Sequence, residues 1–320
     1  MKTALICGIS GQDGAFLAKY LLEKNYHVVG TSRDAHSERF QNLNYLSLIS
    51  RVDIETMALN DFRSVLSVLA KVEPDEVYNL AGQSSVGLSF EQPAETLESI
   101  SNGTLNILES IRFLDKNIRF YNSGSSECFG TTTGPVTEDS SFSPQSPYAV
   151  AKACAANLLS SYRDAYELFA CTGFLFNHES PIRPRRFVTR KIVEAAYKIS
   201  TGEQTHLTLG DLDIYRDWGW APDYVEAMWL MLQQEDPSDY IIATGKTVSL
   251  RYFVKRAFSE FGLDWETYVI SDISLVRPSE IKYNAANIDK AAKELGWIAK
   301  HDVDEVIIKL CEAERARWNN

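Results

Sequence analysis

The stretch Ala4-Leu5-Ile6-Cys7-Gly8-Ile9-Ser10-Gly11-Gln12-Asp13-Gly14 decides the fold. Four apolar residues of strand type run straight into three glycines at a spacing of three, and a helical pattern opens at the last of them. That order builds a tight turn whose backbone can approach a pyrophosphate, with a helix N-terminus pointing at it. A glycine-rich turn that binds nothing is the plainer alternative. Its place between a first strand and a first helix favours a dinucleotide.

Outward from this loop, β-rich and helical runs alternate. Residues 4–7, 27–31, 52–56, 76–80, 119–122 and 171–176 read as strands, and residues 14–23, 61–71, 93–114 and 147–166 as helices. Such alternation predicts an α/β fold, a Rossmann-like, doubly wound parallel sheet covered on both faces. After Asn177 the pattern loosens. Helices are expected near residues 186–200, 223–234, 249–261, 288–295 and 303–315, and the run 240–243 is expected to rejoin the sheet. With no repeat and no Pro/Gly linker, the two parts interleave. Residues 1–176 with roughly 207–244 form the dinucleotide domain, and 177–206 with 245–320 a smaller α/β substrate domain.

Composition sets the boundaries. Hydrophobic residues make up 45% and charged residues 23%, as in a globular enzyme rather than a disordered chain. The net charge of −11, from 32 Lys+Arg against 43 Asp+Glu, argues against nucleic-acid binding but leaves room for an anionic ligand at a local basic cluster. No run approaches the length of a membrane span, and the start lacks a secretory leader's pattern. Five scattered cysteines form no C-x-x-C pair, and the histidines show no metal-ligand spacing. A reducing, cytoplasmic protein without a metal is expected.

Two further patterns carry chemistry. The end of the second strand reads Gly30-Thr31-Ser32-Arg33-Asp34. An NAD site would place Asp or Glu at the strand end for the ribose hydroxyls; Arg33 suits a 2′-phosphate, so NADP is expected, with Asp34 working against it. Tyr148-Ala149-Val150-Ala151-Lys152 sets a phenol and an ammonium on one helix face. A lysine beside a tyrosine favours the phenolate. The serine-rich strand end Ser123-Gly124-Ser125-Ser126-Glu127 precedes it.

Together these features resemble the extended short-chain dehydrogenase/reductase family. The blocks Ser146-Pro147-Tyr148, Asn177-His178-Glu179-Ser180-Pro181, Phe187-Val188-Thr189-Arg190-Lys191-Ile192, Arg216-Asp217-Trp218-Gly219 and Arg277-Pro278-Ser279-Glu280 resemble its GDP-mannose 4,6-dehydratase branch over nearly the whole chain. The resemblance implies a recycled NADP, held by Gly8, Ile9, Ser10, Gly11, Gln12, Asp13, Arg33, Leu59, Leu80, Ala81, Gly82, Gln83, Ser84, Tyr148, Lys152, His178 and Arg183. It implies catalysis by Ser125, Glu127, Tyr148 and Lys152. It further implies a GDP-sugar partner bound through Ser84, Glu127, Asn177, Val188, Lys191, Gly210, Arg216, Arg277 and Glu280, and a homo-oligomer.

Glu127 discriminates among activities, because a reductase or simple epimerase needs no second carboxylate at the sugar, whereas a dehydratase must remove the C5 proton. A 4-reductase or epimerase and a non-catalytic regulator are the competing readings. Departures from the family pattern fall at Asp34 and Ala58, at Ser85 for His, Ser125 for Thr, Phe129 for Tyr, and Ile182 for Arg. They bear on subunit contacts and leave room for another GDP-sugar, such as a heptose or an N-acetylhexosamine.

Overall fold

The computed structural model describes residues 1–36, 40–275 and 278–318. Seven strands form one parallel sheet: β1 (Thr3–Cys7), β2 (His27–Ser32), β3 (Asp53–Thr56), β4 (Glu76–Asn79), β5 (Arg119–Ser125), β6 (Ala170–Leu175) and β7 (Tyr240–Ile242). Their order across the sheet is β7-β6-β5-β4-β1-β2-β3, with Cys7 of β1 level with Asn79 of β4 and with Thr31 of β2. The order in which strands are added therefore reverses between β1 and β4, and a crevice opens there at the carboxyl ends of the strands.

Burial on both faces follows the two-residue period of a strand. Ala4 and Ile6 of β1 point into a core shared with Leu17 and Leu21 of the helix Gln12–Glu23 and Met228 of the helix Ala221–Met231. Leu5 and Cys7 point into the opposite core, with Val65 of Phe62–Val72, Ile107 of Gly103–Leu114 and Leu159 of Pro147–Tyr166.

Several expected elements shift at their ends. β5 continues to Ser125, because Ser123, Gly124 and Ser125 pair with Gly173, Phe174 and Leu175. Gly124 permits this: a Cβ there would meet Thr172 Cγ2 at 2.6 Å. The helix expected over 93–114 is interrupted by a π-turn at Glu98–Asn102, between Pro93–Leu97 and Gly103–Leu114. β7 rejoins the sheet beside β6.

The second unit is built on its own core of Ile192, Leu209, Trp218, Phe253, Phe258 and Ile307. Its helices are Val188–Ser200, Leu250–Ser259 and Val303–Trp318. The strand Tyr215–Trp220 pairs with Asn177–Glu179 on one side and Thr247–Ser249 on the other, and Leu207–Leu209 pairs with Val269–Ser271. These two strands, expected in the dinucleotide domain, thus join the smaller sheets. The return to the large unit begins at Ala221. Among the described residues no helix is long and apolar enough to cross a membrane.

Candidate active site

The glycine loop lies at the switch point. Gly8 has φ of +84°, and a Cβ there would come within 2.9 Å of the Ala81 backbone, so only glycine fits against the end of β4. Gly14 is as tight: a Cβ would reach Gly8 O at 2.4 Å. The helix Gln12–Glu23 starts at Gly11 with no side chain capping it. A glycine cradle ending in an uncapped helix N-terminus is the donor set a pyrophosphate requires, so the residues present fit a dinucleotide.

A cleft of 460 Å³ runs from this loop into the smaller unit. On the dinucleotide side it is lined by Asp13, Leu80, Ala81, Gly82, Gln83 and Ser84, and further in by Lys152, His178 and Arg183. Other expected cofactor residues lie outside its wall. Gly8, Ile9, Gly11 and Gln12 form the loop behind it, with Ile9 fully buried. Leu59 packs where a Cβ on Gly103 would sit, 3.2 Å away. Arg33 is 88% exposed, its guanidinium 3.9 Å from Glu95. Ser10 lines a second cavity of 600 Å³ together with Arg183, Arg185, Arg190 and Arg317.

The four residues expected to react converge in the cleft. Ser125 ends β5, and its Oγ accepts a hydrogen bond from the Glu127 N–H at 3.2 Å, opening the short turn Ser126–Phe129. Buried Asn284 fastens that turn by donating to Ser126 O at 3.1 Å and Gly130 O at 3.2 Å. Tyr148 and Lys152 stand on the first turns of Pro147–Tyr166, which is started by Pro147 and capped by Ser146 Oγ accepting from Ala149 N. Ser125, Glu127, Tyr148 and Lys152 all line the cleft.

The lysine expected to favour the Tyr148 phenolate is anchored elsewhere. The Lys152 ammonium lies 5.9 Å from the centre of the Tyr148 ring and donates to Ser123 O at 2.6 Å and Ser123 Oγ at 3.1 Å. Burial dominates at both groups. It pushes the Tyr148 phenol above its ordinary value, against a hydrogen bond from Ser125, and lowers Lys152 to about 8.

On the sugar side Asn177, Val188, Lys191, Gly210, Arg216 and Glu280 line the same cleft. Arg216 Nη2 lies 3.1 Å from Glu280 Oε1, so two residues expected to touch different parts of a nucleotide also bind each other. Arg277 falls outside the described residues. Arg186, Glu179 and Thr189 are cleft residues that the sequence reading missed. Arg186 Nη2 donates to Ser84 Oγ at 3.1 Å, closing the mouth over the end of β4. Buried Glu179 accepts from Thr189 Oγ1 at 2.7 Å and lies 3.3 Å from Arg183 Nε. The basic run Arg183-Pro184-Arg185-Arg186 in so acidic a chain was the available signal. Among the described residues, no group of three or more His, Cys, Asp and Glu side chains is placed to hold a metal ion.

A proton acceptor beside a serine, a carboxylate two residues further on and a dinucleotide cradle together permit oxidation of an alcohol followed by proton abstraction. Comparison with known proteins points the same way. Residues 5–310 match the family model described as GDP-mannose 4,6 dehydratase. GDP-mannose 4,6 dehydratase 2 of Arabidopsis thaliana is 44% identical over 306 residues, covering 92% of this chain and 82% of the relative. The GDP-mannose 4,6-dehydratase of Yersinia enterocolitica is 38% identical, covering 97% and 93%. Among solved structures, the UDP-glucose 4-epimerase of Thermus thermophilus in complex with NAD aligns at TM-score 0.85 and 23% identity over 98% of this chain and 99% of that one. The dTDP-glucose 4,6-dehydratase of Bacillus anthracis in complex with NAD aligns at 0.86 and 18% over 100% and 98%. At those identities the two structures share the fold. The sequence matches go further: spanning nearly the whole chain, they show that it belongs to the GDP-mannose 4,6-dehydratase family.

Proposed function

We propose that this protein converts GDP-mannose to GDP-4-keto-6-deoxy-mannose, with NADP bound throughout and regenerated in each turnover. The observation that carries the reading is Glu127, a carboxylate in the same cleft as Ser125, Tyr148 and Lys152, in a chain matched to the family over residues 5–310. When bound, the nicotinamide supplies a hydride acceptor at C4 and a hydride donor at C6. Tyr148, entering as the phenolate, takes the C4 hydroxyl proton as that carbon is oxidised, and Ser125 donates a hydrogen bond to the same oxygen. Lys152, anchored on Ser123, keeps positive charge within reach of the phenolate that is to take this proton. The new ketone acidifies C5. Glu127 removes that proton and delivers it to the C6 hydroxyl as water departs, and Tyr148 returns the proton it holds to C5 as C6 is reduced.

Recognition of the substrate follows from charge. Lys191 and Arg216 offer cations to the diphosphate, Asn177 an amide, and Glu280 a carboxylate acceptor for guanine or ribose. Arg33, at the end of β2, supports NADP over NAD, since its exposed guanidinium can swing to a 2′-phosphate. The solved neighbours divide on this point: an enzyme from Pseudomonas aeruginosa is complexed with NADPH, and others with NAD. We place the protein in the cytoplasm as a homodimer that pairs through the helices of residues 93–114 and 147–166.

The test is incubation of the purified protein with GDP-mannose and mass analysis of the nucleotide sugars. Loss of one water with no net change in NADPH absorbance is expected. Dehydration of a GDP-heptose or GDP-N-acetylhexosamine, with GDP-mannose untouched, would move the substrate and keep the mechanism. Consumption of NADPH on a keto-sugar would replace the reading with a reductase.

A further inference from the structure

We propose that Asp13 and His178 form a charge-matched latch that fastens the dinucleotide loop to the sugar-side strand and makes dinucleotide affinity depend on pH. This rests on the dinucleotide reading above. Asp13 stands in the first turn of Gln12–Glu23 and lines the cleft. Its carboxylate therefore occupies the helix end where a pyrophosphate is expected. Two anions at one N-terminus repel, so Asp13 opposes binding unless something neutralises it.

His178 does so. Its Nε2 lies 2.9 Å from Asp13 Oδ2 and its Nδ1 lies 2.7 Å from Phe176 O. Both partners are acceptors. A neutral imidazole has one N–H, so either tautomer would turn a lone pair toward an oxygen; only the imidazolium satisfies both contacts. The ring is held in place by stacking on Tyr224, at 4.6 Å between centroids and 28° between planes.

Gln12 completes the fastening. Its Nε2 donates to Asp13 Oδ1 at 2.9 Å and to His178 O at 3.3 Å, and its Oε1 accepts from Ser180 Oγ at 2.7 Å. The loop of β1 is thereby joined to Asn177–Glu179, the strand that carries Asn177 into the sugar side of the cleft.

The charged groups around the pair act in opposite directions. Asp13 raises His178, Arg183 lowers it, and Glu179, next along the strand, shares its field. Tyr224 on Ala221–Met231 faces the ring as a neutral phenol, pushed up by burial. Lys152 on Pro147–Tyr166 feels Asp13. His178 is raised above the ordinary histidine value despite burial, and Asp13 is lowered to about 2. The latch is therefore lost as pH falls through about 2, where Asp13 takes up a proton, and again as pH rises through the His178 titration. A pyrophosphate arriving at the loop raises His178 further, so dinucleotide binding above that titration takes up a proton.

Asp13 and His178 are positioning residues in this scheme, and the readout is binding rather than turnover. Dissociation constants for NADP and NADPH would be measured by fluorescence across the alkaline range, on wild type, Asp13→Asn and His178→Gln. Wild-type affinity should weaken about tenfold per pH unit beyond the histidine titration, and Asp13→Asn should flatten that slope. Nitrogen NMR of histidine-labelled protein should find His178 doubly protonated at neutral pH.

An equal slope in wild type and Asp13→Asn overturns the proposal, because Lys152, titrating near 8, would then be its source. A neutral His178 at neutral pH also overturns it. Absence of dinucleotide binding at every pH removes the cofactor reading and this inference with it, whereas binding with an unaltered slope removes this inference alone.

Discussion

Glu127 is the residue on which the proposed chemistry turns. Its own N–H is spent on Ser125 Oγ, so the backbone that carries it is fixed by the same hydroxyl that is to hold the sugar's O4. Exchanging the carboxylate for an amide should leave this turn intact and remove only the base. Glu127→Gln is therefore expected to oxidise C4 and stall, with turnover down about 10²–10⁴-fold and no exchange of the C5 hydrogen with deuterated solvent. Exchange at the native rate would show that another group is the base. The Tyr-x-x-x-Lys spacing was legible because two residues four apart share a helix face whatever surrounds them. The orientation of Lys152 was not, since its hydrogen bonds to Ser123 depend on where β5 ends, and β5 ends later than its residue pattern implied.

At the scale of elements, the strand–glycine–helix unit was readable because its constraint is local. Gly8 must take a positive φ, and Gly8 and Gly14 must each leave room for backbone. The consequence is a contrast among glycines. Gly8→Ala should cost about 2 kcal/mol or more in urea unfolding, from left-handed strain and the approach to Ala81 together, and should abolish dinucleotide binding. Gly134→Ala, with nothing within 4 Å of the added carbon, should stay within about 0.5 kcal/mol of wild type. Equal costs at the two sites would mean that the loop is not the tight cradle described. Other elements were less legible for a stated reason. The π-turn at Glu98–Asn102 leaves an unbroken helical pattern in the sequence, and helical periodicity alone cannot reveal one extra residue in a turn.

Across the whole molecule, what escaped the sequence was long-range pairing. Leu207–Leu209 and Tyr215–Trp220 look like any short strands, and only their partners, Val269–Ser271, Asn177–Glu179 and Thr247–Ser249, place them with the smaller unit. Arg183 joins the two scales, lining both cavities from the segment that leaves the dinucleotide sheet. The same view bears on assembly. The helices of residues 93–114 and 147–166 lie side by side on one face of the large sheet and leave apolar side chains in the open: Leu97 is 39% exposed, Val150 44%, Tyr166 49% and Phe113 69%. A two-fold pairing of this face would cover them, and a stable dimer needs about 800 Å² from each partner. Because a two-fold axis brings each patch against its own copy, one substitution acts from both sides. Val150→Glu should therefore convert a dimer to a monomer in light scattering at micromolar concentration, with its far-ultraviolet circular dichroism unchanged. A wild-type monomer at that concentration, or a Val150→Glu variant that still runs as a dimer, would sink this pairing.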